Sequence, residues 1–392
     1  MPAVDRKIGI VTIHNSTSYG ASLQAFALCK FIEQSGYSCE IIDLRRPCHV
    51  DYISSEQYKP YSVRHSKSLK KRFKTFIRRL FHRQSASELF ALQHKEVIAL
   101  RQSRFGAFNA SVRLSRPYFS INDLYQNPPE YDIYISGSDQ IWNPAQPYCL
   151  APYFLSFVKN KGKKIAYASS IGLSKIPSAV EGDFKRWLGD YDKIMVREVE
   201  AKAIVESLIH KHVSVVLDPT YLLGAAYWQS VARKPAIREK YIFCFTLNYN
   251  ELLLNYSYKI AMEKGLLLVI LGHSEKDTQS NKFISILDAG PLEWLGWIQN
   301  AELVLTDSFH GTVFSTLLAR NFATYIASKS ARGSRITHLL SLLGLSSHLL
   351  SQELSQSAET LFTQPLVRTD LDHLIERERQ KSVSELWNAL NS

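Results

Sequence analysis

Between Leu303 and Ser315 an acid, a hydroxyl, an imidazole and a small residue stand almost side by side: Asp307, Ser308, His310 and Gly311. Imidazole changes charge near neutral pH, which suits it to giving and taking protons. Leu303–Leu305 is apolar enough for a buried strand, and helical spacing runs from Phe309 to Ala319. A strand that feeds a helix through a polar turn leaves backbone N–H groups unpaired at the helix start, and these favour an anion. The turn is expected to floor an anion site, with Ser308 and Gly311 lining it beside Asp307 and with His310 handling a proton.

Four other places carry comparable groups. Gly137, Ser138 and Asp139 follow the strand Tyr131–Ile135; ligands of open α/β sheets bind at such carboxyl ends, so Asp139 is a candidate cleft carboxylate. Arg197 ends the strand begun at Lys193, as a cleft cation or as a surface ion pair with Glu198 or Glu200. Arg332 and Arg335 follow the strand Phe322–Ile326, and arginine suits bidentate binding of carboxylate or phosphate. Asn15 lies in the polar turn His14–Gly20, which suits an anion or a sugar hydroxyl, or serves only to join strand to helix. There is no P-loop, zinc spacing, G-x-S-x-G or kinase motif set, so neither a metal nor a resident cofactor is expected. Asp370-Leu-Asp372 has a metal-binding form, but acids at a helix start simply favour its dipole.

These residues need strands and helices to hold them. Lys7–Ile13 reads as a buried parallel strand, followed by a helix through Leu23, Phe26 and Phe31 that Gly36 stops, then a strand Cys39–Leu44. A further strand and turn is expected over Lys163–Gly172, and further strands at Lys193–Glu198 and Val213–Leu217. A second alternating series begins at Tyr241 and ends with the helix Arg335–Leu343. The pattern predicts an α/β protein of two Rossmann-like, doubly wound domains, residues 1–225 and 240–345, with a cleft between them. Residues 220–240 show little apolar periodicity and read as the junction; 346–392 reads as a helical tail.

Residues 46–127 break the alternation, with a basic amphipathic insert expected at about 60–125. Between Arg64 and Arg83 stand nine Lys or Arg and no acid, and removing them from the net charge of +11 leaves +2. Leu69, Phe73, Phe76, Ile77 and Leu80 share one helical face there, the pattern of a helix lying on an anionic membrane surface or packing on its own domain. No nucleic-acid module surrounds it, so a nucleic-acid partner is not expected. No stretch approaches the roughly 20 apolar residues of a membrane span. Five scattered cysteines without a C-x-x-C pair fit a reduced, cytoplasmic setting.

The motifs Ser22-Leu-Gln-Ala-Phe-Ala-Leu28, Gly137-Ser-Asp-Gln-Ile-Trp-Asn143, Ala166-Tyr-Ala-Ser-Ser-Ile-Gly172, Val196-Arg-Glu198, Asp218-Pro219 and Thr306-Asp-Ser-Phe-His-Gly311 together resemble the polysaccharide pyruvyl transferase family over residues 7 to about 345. The resemblance implies a GT-B-like pair of domains, the first facing the acceptor and the second the donor. It implies transfer of pyruvate from phosphoenolpyruvate, as donor substrate, to a sugar of a cell-surface glycan or its lipid-linked precursor as a ketal. His310 would match the family's functional histidine, Arg197 a donor-binding arginine, and Asp139 an acid near the acceptor. Some members carry Arg-Leu where this chain has Ser308-Phe309, so the missing cation is expected from Arg335. A lipid-linked acceptor would bring residues 64–83 to the inner membrane face. A nucleotide-sugar glycosyltransferase, or a non-catalytic glycan- or membrane-binding protein on the same scaffold, shares the expected architecture.

Overall fold

The computed structural model describes residues 6–54 (except 48), 90, 92–146, 149, 151–159, 162–272, 281–326, 331–363 and 366–392. The basic helix expected at 64–83, the thiol of Cys48 and the side chain of Arg332 lie outside the described residues.

The first sheet has six parallel strands in the order β2-β1-β3-β4-β5-β6. They are β1 (Lys7–Val11), β2 (Ser38–Ile41), β3 (Ile133–Ser136), β4 (Lys163–Ser169), β5 (Lys193–Val196) and β6 (Ser214–Val215). The order reverses between β1 and β3, which opens the loops after these strands toward one cleft. The second sheet has five strands in the order β11-β10-β7-β8-β9. These are β7 (Tyr241–Phe245), β8 (Leu267–Leu271), β9 (Ile284–Ile286), β10 (Leu303–Thr306) and β11 (Phe322–Thr324). The central strands β3, β7 and β10 are buried along their whole length, which is why they read as unbroken apolar runs.

Helices cover both sheets: α1 (Tyr19–Gln34), α2 (Lys95–Asn109), α3 (Ile121–Gln126), α4 (Ser178–Gly189), α5 (Val199–Ile209), α6 (Gly224–Val231), α7 (Glu251–Lys264), α8 (Pro291–Asn300), α9 (Phe309–Leu318), α10 (Ala331–Leu342), α11 (Ala358–Thr363) and α12 (Arg368–Asn391). The stretch 220–240, read as a featureless junction, holds α6, whose Trp228 is fully buried against Phe26 and Phe314. Eight residues make too few turns for a helical period to stand out. The same hydrophobic cluster unites α1 (Tyr19, Phe26), α2 (Phe105, Phe108) and the second domain (Trp294, Phe314). The two domains therefore share a core.

Helix α12, expected as a separate tail, returns to the first sheet. Leu386, Ala389 and Leu390 pack with Ile8, Ile133 and Met195, and Ser382 accepts a hydrogen bond from the backbone N–H of Leu217 at 2.9 Å. Asp370 lies in the first turn of α12 and Asp372 pairs with Arg368 at 3.8 Å. Cys29, Cys39, Cys149 and Cys244 are buried free thiols. Among the described residues no helix is long and apolar enough to cross a membrane.

Candidate active site

The carboxyl ends of both sheets converge on one side chain that sequence reasoning placed in a motif without giving it a role: Asp218, just beyond β6. Its side chain is 0% exposed. Oδ1 accepts from the Thr220 backbone N–H (3.1 Å) and hydroxyl (2.8 Å), which also fixes the turn Pro219–Tyr221. Oδ2 accepts from Arg197 Nη1 at 2.9 Å and Ser138 Oγ at 3.2 Å, and lies 3.4 Å from His310 Nε2. Burial alone would raise its pKa, but the adjoining His310 and Arg197 and these hydrogen bonds reverse the effect and hold it far below the ordinary carboxylate range. Asp218 is thus an anion that joins the first-domain arginine to the second-domain histidine.

Arg197 is not the surface ion pair that its position also allowed. Its side chain is 2% exposed, and besides Asp218 it has Asp139 and Glu198 each at 3.9 Å. Burial opposes its charge; the three carboxylates outweigh burial and raise its pKa. Nη1 also donates to Ser138 Oγ at 3.4 Å, whereas Nε and Nη2 have no hydrogen-bond partner among the described residues. Glu198 holds the loop after β4, accepting from Ser170 Oγ and the N–H groups of Ile171 and Gly172. Both Arg197 (4.4 Å) and Arg335 (5.4 Å) place their guanidinium carbons over the Phe309 ring. With its amide oxygen turned toward α10, Gln140 accepts from Arg335 Nη2 at 2.7 Å, a second link across the cleft.

The Thr306–Gly311 turn differs from expectation. Asp307 does not assist His310: it points to the far side and accepts from Leu247 N–H (2.8 Å) and Asn250 Nδ2 (3.3 Å). Burial raises its pKa, against these hydrogen bonds. Ser308 caps α9, its hydroxyl accepting from the Gly311 N–H at 3.2 Å and its carbonyl from the Thr312 N–H at 2.9 Å. Thr306 Oγ1 accepts from the Ser308 N–H at 3.1 Å. Side chains of the turn thus take up the N–H groups of Ser308 and Gly311 at the start of α9. A Cβ at Gly311 would stand 2.4 Å from Thr306 Oγ1, so the glycine serves close packing of helix on strand.

The remaining expected residues lie around this centre. Gly137 lets the loop after β3 approach Thr12, where a Cβ would come within 2.8 Å. Asp139 adopts φ +74°, a left-handed conformation that strains an aspartate, and its carboxylate, 19% exposed, accepts from the Gln140 N–H at 2.8 Å. Asn15, also left-handed at φ +47°, stands at the β1 carboxyl end. Gly20 is unforeseen: a Cβ there would meet His310 Nδ1 at 2.0 Å, so the imidazole rests on the bare first turn of α1.

Two cavities adjoin this centre. One, of about 290 Å³, is lined by Arg197, Asp218, Phe309, Arg335, His338 and Lys381, among others. The other, of about 370 Å³, lies against His310, the start of α1, the end of β7 and one face of α2.

Two facing Rossmann-like domains with buried arginines, an aspartate and a histidine at their junction define an α/β protein of GT-B-like build. The chain belongs to the polysaccharide pyruvyl transferase family, whose model matches residues 19–330. Among solved structures it is similar to a UDP-N-acetylglucosamine 2-epimerase from Rickettsia bellii, at 9% identity and TM-score 0.52, over 99% of this chain and 98% of that one. That likeness shows the fold alone. Lower scores link it to the glycotransferase of kitacinnamycin (12% identity, TM-score 0.48, 98% of each chain). A UDP-GlcNAc 2-epimerase from Methanocaldococcus jannaschii follows (12%, 0.45, 94% of this chain and 92% of that one). The comparison with curated protein sequences returned no match.

Proposed function

We propose that this protein transfers a pyruvyl group from phosphoenolpyruvate to a sugar of a cell-surface polysaccharide or its lipid-linked precursor, forming a pyruvate ketal. The observation that carries the reading is the buried edge of Arg197, whose Nε and Nη2 lack hydrogen-bond partners among the described residues. Buried N–H groups left in that state are costly, and an anionic ligand would satisfy them. Phosphoenolpyruvate offers a carboxylate and a phosphate, and Arg197 and Arg335 stand over the same Phe309 ring to receive them.

In this reading His310, tied to Asp218, delivers a proton to the enol methylene carbon. The carbon bearing the phosphate becomes electrophilic and one sugar hydroxyl adds to it. Phosphate then leaves with the C–O bond electrons, and a second hydroxyl closes the ketal. The two hydroxyl protons offset the one gained by the methyl group and the one carried off by phosphate. Asp139, at the cleft edge, is the proposed base. Asp218 Oδ2, 3.4 Å from His310 Nε2, keeps the imidazole oriented.

The test is phosphoenolpyruvate-dependent release of inorganic phosphate with a glycan preparation, together with mass spectrometry of the glycan. A 70 Da increment and loss of release in Arg197→Ala are expected; the mass increment follows from a pyruvyl ketal replacing two hydroxyl hydrogens. Release of a nucleoside diphosphate from a sugar nucleotide, without phosphate from phosphoenolpyruvate, would sink the reading.

A further inference from the structure

His310 lines the cavity of about 370 Å³, which Arg197, Asp218 and Arg335 do not line, and touches the smaller cavity only through Asp218, 3.4 Å from its Nε2. Its walls come from three places: Thr17–Gly20 at the start of α1, Phe245–Leu247 at the end of β7, and Ile98, Arg101 and Gln102 of α2. The chemistry differs from that of the neighbouring cavity. The smaller one holds three cations, Arg197, Arg335 and Lys381, set among the carboxylates of Asp218 and Glu378. The larger one offers the hydroxyls of Thr17, Ser18 and Thr246, the Gln102 amide and the single cation Arg101, with no carboxylate among its lining residues. Arg101 is held over the rings of Tyr19 (5.4 Å) and Phe105 (5.9 Å), and its Nε has no hydrogen-bond partner among the described residues.

We propose that this cavity is the acceptor subsite. It takes a neutral pyranose ring, with Arg101 and Gln102 reading adjacent hydroxyls so that a diol faces His310. The inference rests on the reading that the doubly anionic donor is held at Arg197 and Arg335. A sugar hydroxyl both donates and accepts, and a guanidinium beside a carboxamide supplies several donors and one acceptor within one small area. The volume falls in the range of pre-formed ligand sites. His310, 3.4 Å from the Asp218 carboxylate that lines the smaller cavity, would then stand between the two reactants, the proximity that a two-substrate transfer requires. Arg101 and Gln102 belong to α2, which is part of neither Rossmann alternation. Acceptor choice would thus be set by an inserted element rather than by the common fold.

The test uses the full chain and three probes, the methyl glycosides of glucose, galactose and mannose, observed by saturation-transfer NMR. Binding of phosphoenolpyruvate is measured separately by calorimetry. At least one glycoside is expected to bind and to remain bound when phosphoenolpyruvate is added. Arg101→Ala and Gln102→Ala should each weaken the glycoside by about fivefold, the loss of one hydrogen bond. Thr17→Trp at the exposed mouth should abolish its signal, and all three variants should bind phosphoenolpyruvate as before. Failure of every glycoside to bind, indifference to the three substitutions, or displacement of the glycoside by phosphoenolpyruvate would overturn the proposal. So would a loss of inorganic phosphate binding in Arg101→Ala, which would make the cavity an anion subsite. Absence of phosphoenolpyruvate binding to the unaltered protein, with glycoside binding intact, would instead count against the donor reading.

Discussion

Two strand-to-helix turns face each other across the cleft, and they are built in opposite ways. At the start of α9 the turn is closed: Ser308 caps Gly311, Thr306 holds the Ser308 N–H, and Asp307 is turned outward. At the start of α1 the turn is open, since Ser18 makes no side-chain cap and Gly20 leaves a bare surface. The closed turn presents the imidazole; the open turn supplies the seat on which it rests and the wall of a cavity beside it. A side chain aimed from one domain and seated on the other is oriented only when both domains are in place.

Removing the carboxylate that fixes this arrangement has the largest expected effect. Asp218→Asn should cost about 3–5 kcal/mol in denaturant unfolding, because it leaves Arg197 buried beside a neutral amide. The pKa of Asp218 is depressed in the folded state, so its contribution is present above the unfolded carboxyl value and lost as pH falls through the folded one. The stability gap between the two proteins should therefore stay constant at neutral pH and narrow below about pH 4. A gap unchanged at low pH would show that the ionised carboxylate is not its source.

Next comes the seat. In Gly20→Ala the new methyl would require the imidazole to shift, and misplacement by about 1 Å can reduce turnover by about a hundredfold. Phosphate release assayed alongside the thermal midpoint separates this from unfolding; normal turnover would break the idea that the open turn positions His310. The smallest effects sharpen the contrast itself. Ser308→Ala should lose about 1 kcal/mol of stability as its cap is removed. Ser18→Ala, with no cap bond to lose, should change stability by no more than about 0.5 kcal/mol. Equal losses at the two positions would erase the distinction between the turns.

Much of the scaffold was legible because each central strand is a run of buried apolar residues. Lys7–Val11, Tyr241–Phe245 and Leu303–Thr306 lie within or close to the stretches their composition marks. His310 and Arg197 stood out because each follows such a run. Asp218 did not, although it too ends a strand: Arg197 lies 21 positions away and His310 92, and local spacing carries no sign of either contact. Asp307, three positions from His310 in sequence, bonds instead with Leu247 and Asn250, because neighbouring residues at a strand-to-helix turn leave it in divergent directions. Arg101 was hidden for a different reason. Helix α2 buries only Phe105 and Phe108, too few apolar positions to announce a face.

The return of α12 to the first sheet bears on how the chain acquires its structure. Ile8, Ile133 and Met195 lie under Leu386, Ala389 and Leu390, so the domain synthesised first is the one finished last. On the ribosome its apolar face stays uncovered while the whole second domain is made, an interval in which such surfaces invite misassembly. The closing helix makes two domains that alternate independently in sequence into a single folding unit.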